Sequence, residues 1–432
     1  MRWYSSNKQN VAGAVSMPIV DNLLSSFEKL KGTAPTVKSI EGYHPDGEFS
    51  GIEAITYESV PYNNMRTKVF AYLGVPKVKT GEKLPAVVLI HGGGGHAFAC
   101  WVKMWNDRGY AAIAMDTTGY MPGKKNAGSR EVSEENEWVH ELTGVFAEEG
   151  FTPSPSNDGM STSDQPMENQ WMYHALSSAI LAGNILRNHP SIDSEKIGVT
   201  GISWGGVICS LLIGYDQRFA FAVPVYSSGF LGEGLSDLNQ IFSRPEVKMN
   251  WSAERNFDKV KLPVLWLAWN DDSAFSIQPN SLSYEETALN HANTRLSIKD
   301  LMYHSHEHGW KPEEIYAFAD AQINGGVQFP KITVQPNGRK FGFSVECGKD
   351  VRITGATGYY ICEPMAYSKF DKFGYGEHSF MKQSWETIDC DIQDNGLISG
   401  VFPDTCVSYY IEIAFLINDQ ELFISTVFVD LQ

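Results

Sequence analysis

The chain has 432 residues, of which 43% are hydrophobic and 20% are charged, which is enough apolar material for two well-buried domains. Its formal net charge is −17 at pH 7, and no basic cluster offsets that charge. A charge of this sign repels polyanions, so the composition excludes nucleic acid and anionic membrane surfaces as partners.

The first 50 residues are expected to form an N-terminal helix at Val20 to Leu30 and a cover strand. The polar run Ser5 to Asn10 and Pro18 make a poor signal-peptide core, and no stretch reaches transmembrane length. The six cysteines lack C-x-x-C or C-x-x-H spacing, so reduced thiols and a cytoplasmic location are expected. The alternative is an exported protein in which four cysteines pair. These four are Cys347, Cys362, Cys390 and Cys406.

Residues 51–323 carry the pattern of an α/β domain. Apolar strands alternate there with helical stretches such as Glu168 to Asn188. This alternation is typical of βαβ units around a mostly parallel sheet. The sequence therefore predicts a doubly wound α/β domain with a mostly parallel sheet after the N-terminal segment 1–50.

A glycine-rich loop follows the first strongly apolar strand of this domain. The run Leu84 to Ile90 predicts a buried parallel strand, and His91 and four glycines come directly after it. Such a loop lets backbone N–H groups approach a developing oxyanion, and Gly93 is the predicted donor, with Gly94 as the alternative. A phosphate-binding loop would need a Gly-Lys-Ser/Thr ending, which is absent here.

Residues 117–167 form a long insertion that is rich in Gly, Ser, Asn, Asp and Glu and has no clear periodicity. A segment this long is usually functional or disordered. Because the active groups of such a sheet lie at the carboxyl ends of its strands, the insertion is predicted to be a lid. Four apolar residues either line the substrate site or form the lid's own core. They are Trp138, Phe146, Phe151 and Met160.

A G-x-S-x-G pentapeptide, Gly201 to Gly205, lies where an apolar strand runs into a helix-like segment. In a strand-to-helix turn of this kind the serine projects outward, and the glycines let neighbouring backbones approach. Ser203 is therefore the predicted nucleophile, and the N–H of Trp204 is the predicted second oxyanion donor. The motif is short, and its combination with the upstream glycine loop gives it weight.

A nucleophilic serine needs a base and a carboxylate that orients the base. In this fold class the acid follows the serine in the chain. The strand Leu262 to Trp269 leads into two adjacent aspartates, Asp271 and Asp272. Acid loops of hydrolases often read G-x-x-D, and placing Trp269 at that glycine predicts Asp272, with Asp271 as the alternative.

The base is predicted among His304, His306 and His308, which follow the strand Arg295 to Met302. Their i, i+2, i+4 spacing also suggests a zinc site, since imidazole is a common zinc ligand. The flanking residues predict an extended loop, in which alternate side chains point in opposite directions. All three rings then cannot converge on one ion, so no metal is expected.

After the break at Asn324 to Gly326, the strands become short and alternate in polarity. This pattern predicts an all-β sandwich domain over residues 324–432. The favoured interpretation is a packing module without a ligand of its own. The alternatives are a lid, a carbohydrate-binding surface or a subunit contact.

Four segments carry a family resemblance: HGGGGHAF-x-x-WV-x-x-W-x-x-RGYAAIAMD at 91–116, GISWGG at 201–206, WLAWNDDSAF at 266–275 and HSHEHGWKPEEIYAFAD at 304–320. Together they resemble the acetylxylan esterase and dienelactone hydrolase-like group of α/β-hydrolases. The group's acid loop reads approximately G-T-N-D-x-A-F-P, which places its aspartate at Asp272. Its histidine pattern, M-P-H-G-H-x-x-G-W, places two histidines at His304 and His306. The resemblance favours His306 as the base, with His304 next, and His308 stays open because His-Gly-Trp is similar to the H-G-F of relatives.

This resemblance implies a serine carboxylic-ester hydrolase that removes acetyl or other short acyl groups from carbohydrate esters. The reaction would proceed through an acyl-enzyme and without a cofactor. The expected partner is a small acylated carbohydrate, and the oligomeric state is left open, a homo-oligomer included. The alternatives are a serine peptidase of the prolyl oligopeptidase type and a non-catalytic carbohydrate-binding protein on a hydrolase fold.

Overall fold

The computed structural model describes residues 19–119, 160, 162–365 and 383–432. Helix α1 (Ile19–Lys31) and strand β1 (Val37–Ser39) come first, where the sequence predicts a helix and a cover strand. Most of the predicted 117–167 insertion, including Trp138, Phe146 and Phe151, lies outside the described residues. The lid therefore stays a prediction.

A nine-stranded sheet forms the centre of the larger domain. Its strands after β1 are β2 (Ile52–Tyr62), β3 (Met65–Gly74), β4 (Leu84–Ile90), β5 (Ala111–Met115), β6 (Ile192–Ile202), β7 (Ala222–Val225), β8 (Leu265–Trp269) and β9 (Arg295–Lys299). They lie in the order β1-β2-β3-β5-β4-β6-β7-β8-β9. In this order, the neighbouring pairs β1–β2, β2–β3 and β3–β5 are antiparallel. The pairs β5–β4, β4–β6, β6–β7, β7–β8 and β8–β9 are parallel. The predicted mostly parallel α/β-hydrolase sheet is confirmed.

Helices flank this sheet. They are α2 (Ala99–Asp107), α3 (Trp171–Asn188), α4 (Trp204–Tyr215), α5 (Asp237–Phe242), α6 (Pro245–Trp251), α7 (Ile277–Ala288), α8 (His306–Trp310) and α9 (Glu313–Ile323). Every residue of β5 and β8 is buried, as expected for parallel strands with both faces covered. The central strands therefore read as continuous apolar runs, which is why the sequence reveals them.

The C-terminal domain consists of two antiparallel sheets. Its strands are β10 (Lys331–Ile332), β11 (Lys340–Glu346), β12 (Arg352–Ile361), β13 (Glu386–Asp389), β14 (Asp391–Ile392), β15 (Leu397–Val401), β16 (Ser408–Ile417), β17 (Gln420–Ser425) and β18 (Val429–Asp430). One sheet has the order β10-β11-β15-β14, the other β13-β12-β16-β17, and β18 pairs with β16.

Aromatic side chains join the two C-terminal sheets. Phe341 on β11 and Tyr409 on β16 stack with ring centroids 6.1 Å apart. In β11 every second residue is buried, which is the pattern of a strand with one face on a core. The predicted C-terminal β-sandwich is confirmed.

Two general features of the described ranges bear on the sequence expectations. No helix within them is long and apolar enough to cross a membrane. All six cysteines lie within those ranges and are free thiols, so the alternative pairing of four of them is not formed there.

Candidate functional site

The candidate site lies at the carboxyl edge of the parallel strands. The glycine loop follows β4 and Ser203 follows β6, while Asp272 and His304 come after β8 and β9. Because neighbouring parallel strands end at the same edge of a sheet, segments that are distant in sequence converge there.

Ser203 occupies a strained turn between β6 and α4. Its φ of 57° and ψ of −119° are rarely adopted by a residue that carries a Cβ. A Cβ on Gly201 would lie 2.0 Å from the carbonyl oxygen of Gly205, and a Cβ on Gly205 would lie 2.0 Å from that of Ile90. Only glycine permits such close backbone contacts. The turn thus has the geometry predicted for a nucleophile elbow.

Two hydrogen bonds join Ser203, His304 and Asp272. Nε2 of His304 lies 2.9 Å from the Ser203 Oγ, and its Nδ1 lies 2.7 Å from Asp272 Oδ2. A carboxylate only accepts hydrogen bonds, so Nδ1–H donates to Asp272 and Nε2 is left to accept from the serine hydroxyl. Asp272 is 1% exposed and His304 is 4% exposed. The three side chains therefore have the arrangement of a nucleophile, a base and an orienting acid.

The two aspartates of the acid loop have different environments. Asp272 Oδ1 accepts hydrogen bonds from the N–H groups of Ala274 at 2.8 Å and Phe275 at 3.0 Å, which fixes the carboxylate. Asp271 instead accepts a bond of 2.9 Å from the indole N–H of Trp385 in the C-terminal domain. Burial raises the pKa of Asp271 to about 6. The preference for Asp272 over Asp271 agrees with this placement.

The structure corrects the prediction of His306 as the base. His304, the second choice, reaches Ser203, whereas Nε2 of His306 accepts a hydrogen bond of 2.9 Å from the N–H of Gly92. The reason is that residues 306–310 form helix α8 rather than the predicted extended loop. His304 precedes this helix, and its side chain lies between the acid and the serine.

Ser305 and His308 define the start of α8. The Ser305 Oγ accepts a hydrogen bond of 3.0 Å from the His308 N–H, which is the usual contact of an N-cap serine. Nδ1 of His308 lies 2.8 Å from the same oxygen.

Within the ranges that the structure describes, no group of three or more His, Cys, Asp or Glu side chains is arranged to hold a metal ion.

His306 contacts the glycine loop. Burial lowers the pKa of His306, and neighbouring imidazoles, His91 foremost, lower it further. A neutral ring is required for Nε2 to accept the N–H of Gly92. A Cβ on Gly95 would lie 2.5 Å from the same Nε2, so the ring fills the space that a side chain at that position would take. His306 thereby holds the loop beside Ser203.

The glycine loop packs against Ser203 and Trp204. A Cβ on Gly92 would lie 3.0 Å from the Ser203 Cβ, and one on Gly93 would lie 2.8 Å from the Trp204 Cδ1. The Gly92 N–H already donates to Nε2 of His306, so it does not serve as an oxyanion donor. The N–H that follows it in the loop is that of Gly93. Trp204 is the first residue of α4, and the first N–H groups of a helix have no intrahelical acceptor. Both N–H groups are therefore suitable donors.

Two aromatic rings stack on His304. The Tyr226 ring lies 4.7 Å from the imidazole, centroid to centroid, at an interplanar angle of 24°, and the Phe275 ring lies 5.7 Å away at 11°. Tyr226 has a φ of 48°, and its hydroxyl donates a bond of 2.7 Å to the carbonyl of Tyr303. Sequence reasoning missed Tyr226, although its place directly after β7 puts it at the same edge of the sheet as Ser203.

An apolar wall borders the serine. Trp204 meets Trp171 edge-on with ring centroids 5.6 Å apart, and it stacks with Phe242 at 6.1 Å. The Trp171 indole donates a bond of 2.6 Å to the carbonyl of Thr117, where the insertion begins. Met160, which the sequence assigns to the insertion, is buried.

The fold and this site define a hydrolase of the α/β-hydrolase type. Residues 69–321, more than half of the chain, match the model of the dienelactone hydrolase family. The chain belongs to that family. A comparison with curated proteins found no match.

Several solved structures are similar to this chain. The acetyl xylan esterase from Paenibacillus sp. R4 is 16% identical, with 72% of this chain and 96% of that chain covered and a TM-score of 0.48. Acetyl xylan esterase 1 from a Thermoanaerobacterium species is 16% identical, with 65% and 85% covered and a TM-score of 0.42. The acylaminoacyl peptidase of Pyrococcus horikoshii is 16% identical, with 64% and 40% covered and a TM-score of 0.41.

Proposed function

We propose that this protein is a serine carboxylic-ester hydrolase that removes acetyl or other short acyl groups from carbohydrate esters. One observation carries the proposal: the hydrogen-bonded chain from the Ser203 Oγ through His304 to Asp272. A serine hydroxyl is a weak nucleophile at neutral pH, and this chain supplies the base that activates it.

In the first step of the proposed reaction, the Ser203 Oγ attacks the ester carbonyl carbon while His304 Nε2 takes the hydroxyl proton. The tetrahedral oxyanion accepts hydrogen bonds from the N–H groups of Gly93 and Trp204. The intermediate collapses, and the C–O bond to the alcohol breaks as Nε2–H returns the proton to the leaving oxygen. Water then repeats the sequence on the acyl-serine and releases the acid and free Ser203.

Asp272 keeps His304 in the reactive tautomer throughout this cycle. Its Oδ2 accepts from Nδ1–H, so the other nitrogen faces the serine. When the imidazole becomes an imidazolium, the carboxylate stabilises the new charge. The stacked rings of Tyr226 and Phe275 offer π faces to the same cation, a contact worth about 0.5–2 kcal/mol.

The short acyl group and the carbohydrate alcohol are inferred from the sequence. The segments at 91–116, 201–206, 266–275 and 304–320 resemble acetylxylan esterase-like enzymes. The net charge of −17 disfavours an anionic alcohol. The apolar wall of Trp204, Trp171 and Phe242 suits an uncharged acyl ester.

A hydrolysis panel tests this proposal. It contains acetylated xylo-oligosaccharides, p-nitrophenyl esters of two, four and eight acyl carbons, and aminoacyl amides, with Ser203→Ala as the control. We expect the acetyl esters to have the highest kcat/KM and Ser203→Ala to lose at least about a thousandfold in turnover. Preferred hydrolysis of aminoacyl amides would favour the peptidase alternative. Absence of turnover together with no labelling by a fluorophosphonate would favour the non-catalytic alternative.

A further inference from the structure

The C-terminal domain contacts the catalytic domain directly beside the triad acid. Trp385 Nε1–H donates a hydrogen bond of 2.9 Å to Asp271 Oδ1, and the Asn270 amide donates one of 3.1 Å to the hydroxyl of Tyr410. Asn270 and Asp271 immediately precede Asp272. Two side chains of the β-sandwich thus bind the turn that carries the acid.

The same turn is connected to the segment that carries His304. The Asn270 Nδ2 also lies 3.3 Å from Asp300 Oδ1, and the Asn270 N–H donates a bond of 3.0 Å to the carbonyl of Lys299. Lys299 is the last residue of β9, and Asp300 lies between β9 and His304. Asn270 therefore joins three parts of the molecule: the acid turn, the base segment and the C-terminal sheet.

The side chains that reach across are themselves rigidly packed. Tyr410 is fully buried, and its ring stacks on Tyr359 with centroids 5.0 Å apart and an interplanar angle of 3°. Trp385 meets the Tyr410 ring edge-on at 5.3 Å. A group fixed in this way holds its hydrogen-bond partner with little additional loss of side-chain entropy.

We propose that Trp385 and Tyr410 are positioning residues of the triad, and that the C-terminal domain supports catalysis by fixing the turn at Asp272. The inference rests on the proposed function and gives this domain a task besides packing. The rate of the chemical step depends steeply on geometry, since a displacement of about 1 Å can lower it by about a hundredfold. Trp385 and Tyr410 both lie outside residues 69–321, the part of the chain that matches the family model.

Tyr409 provides a matched control. It neighbours Tyr410 on β16, and successive side chains of a strand point to opposite faces. Its hydroxyl donates a bond of 3.0 Å to the carbonyl of Gly338, inside the C-terminal domain. Tyr409→Phe therefore removes the same chemical group and a comparable hydrogen bond, but away from the acid turn.

The experiment compares Trp385→Phe, Tyr410→Phe and Tyr409→Phe in the full-length protein. It measures kcat and KM on a short-chain ester, the pH dependence of kcat, the rate of Ser203 labelling by a fluorophosphonate, and the thermal midpoint. We expect Trp385→Phe and Tyr410→Phe to lower kcat and the labelling rate about tenfold with little change in KM. The acid limb of their kcat profile should move to lower pH, because the imidazolium loses part of the support of Asp272. Tyr409→Phe should keep wild-type kcat.

Equal kcat values in all three variants would overturn the inference, as would losses of kcat that follow the thermal midpoints alone. Failure of the proposed function has a different signature: the wild-type protein itself would neither hydrolyse esters nor be labelled at Ser203. Labelled wild type with unchanged labelling of Trp385→Phe and Tyr410→Phe contradicts only the positioning role.

Discussion

The turn at Ser203 and the segment from Tyr303 to Trp310 each bring a side chain to the carboxyl edge of the sheet, but by different means. At the serine, a backbone contact between neighbours in sequence dictates the geometry, because a Cβ on Gly201 would lie only 2.0 Å from the carbonyl oxygen of Gly205. At the histidine, the geometry comes from distant groups: the acid turn, Tyr226 and the glycine loop.

This difference explains why Ser203 lies in the turn that the motif predicts, whereas the histidine beside it is His304 and not the favoured His306. A steric requirement between neighbours in sequence leaves a motif, and the glycines around Ser203 are that motif. A geometry that depends on tertiary contacts leaves no such motif in the sequence. The sequence then indicates only that a histidine is needed, and this segment contains three. Variants of the two regions should differ accordingly.

The largest effect on activity is expected from the acid that orients His304. Asp272→Asn places an amide where Nδ1–H needs a carboxylate, so we expect turnover to fall about a thousandfold or more with little change in stability. Asp271→Asn is the matched control and should stay within a few-fold of wild type, because an amide oxygen can still accept from Trp385. Steady-state kinetics on a short-chain ester measure both. A greater loss for Asp271→Asn would show that the wrong carboxylate has been assigned.

Gly201→Ala tests the local character of the serine turn. The new Cβ would lie 2.0 Å from the carbonyl oxygen of Gly205 and 2.4 Å from its carbonyl carbon, so the end of β6 and the start of α4 must separate. We expect a loss of about 1–3 kcal/mol in stability and at least about a hundredfold in turnover. Gly348→Ala, at a glycine whose added Cβ would meet no atom within 4 Å, is the control. Wild-type activity and thermal midpoint in Gly201→Ala would refute the steric account.

Tyr226 tests the tertiary character of the histidine segment. Tyr226→Phe keeps the ring on His304 and removes the bond to Tyr303, so we expect a loss of a few-fold in kcat from a hydrogen bond worth about 1 kcal/mol. Tyr226→Leu also removes the stacked ring and should lose about tenfold. The measurement is kcat with KM as the reference for substrate binding. Equal activity of wild type and Tyr226→Leu would mean that the ring does not support the imidazole.

The smallest effect on activity, and a clear one on stability, is expected at Glu412 in the C-terminal domain. Burial, and then the carboxylates of Glu314 and Asp300, raise the pKa of Glu412 to about 7, although Lys299 opposes them. Because the folded-state pKa is raised above the ordinary value of 4.5, wild-type stability from this group is complete below pH 4.5 and is lost as the pH rises through about 7.

Glu412→Gln removes that pH dependence. We expect its thermal midpoint to exceed that of wild type by about a few degrees at pH 8 and to match it near pH 4.5, with unchanged turnover. Glu346→Gln, an exposed position on β11, serves as the surface control. A wild-type advantage at pH 8 would reverse the expected sign and contradict the burial of this carboxylate.

Much of the fold could be predicted from the sequence because its physical causes are local. The strands β4 and β5 are apolar on both faces, and β11 alternates in polarity, so each reveals its environment. Ser203 and Asp272 can be predicted because each lies in the turn that follows a buried parallel strand. The sequence alone does not separate His304 from His306, because the positions of both depend on where α8 begins; Ser305 followed by Glu307 is the signal of that helix start. Tyr226 and Trp385 act through contacts between segments that are far apart in sequence, for which no motif exists.

The pair His304→Ala and His306→Ala tests the central claim most directly. The measurement is the rate at which Ser203 is labelled by a fluorophosphonate, with the labelled residue identified by mass spectrometry. If His304 is the base, its alanine variant should lose about a thousandfold or more in labelling rate, whereas His306→Ala should lose only about tenfold through a looser glycine loop. A labelling rate that falls more steeply in His306→Ala than in His304→Ala would contradict the account.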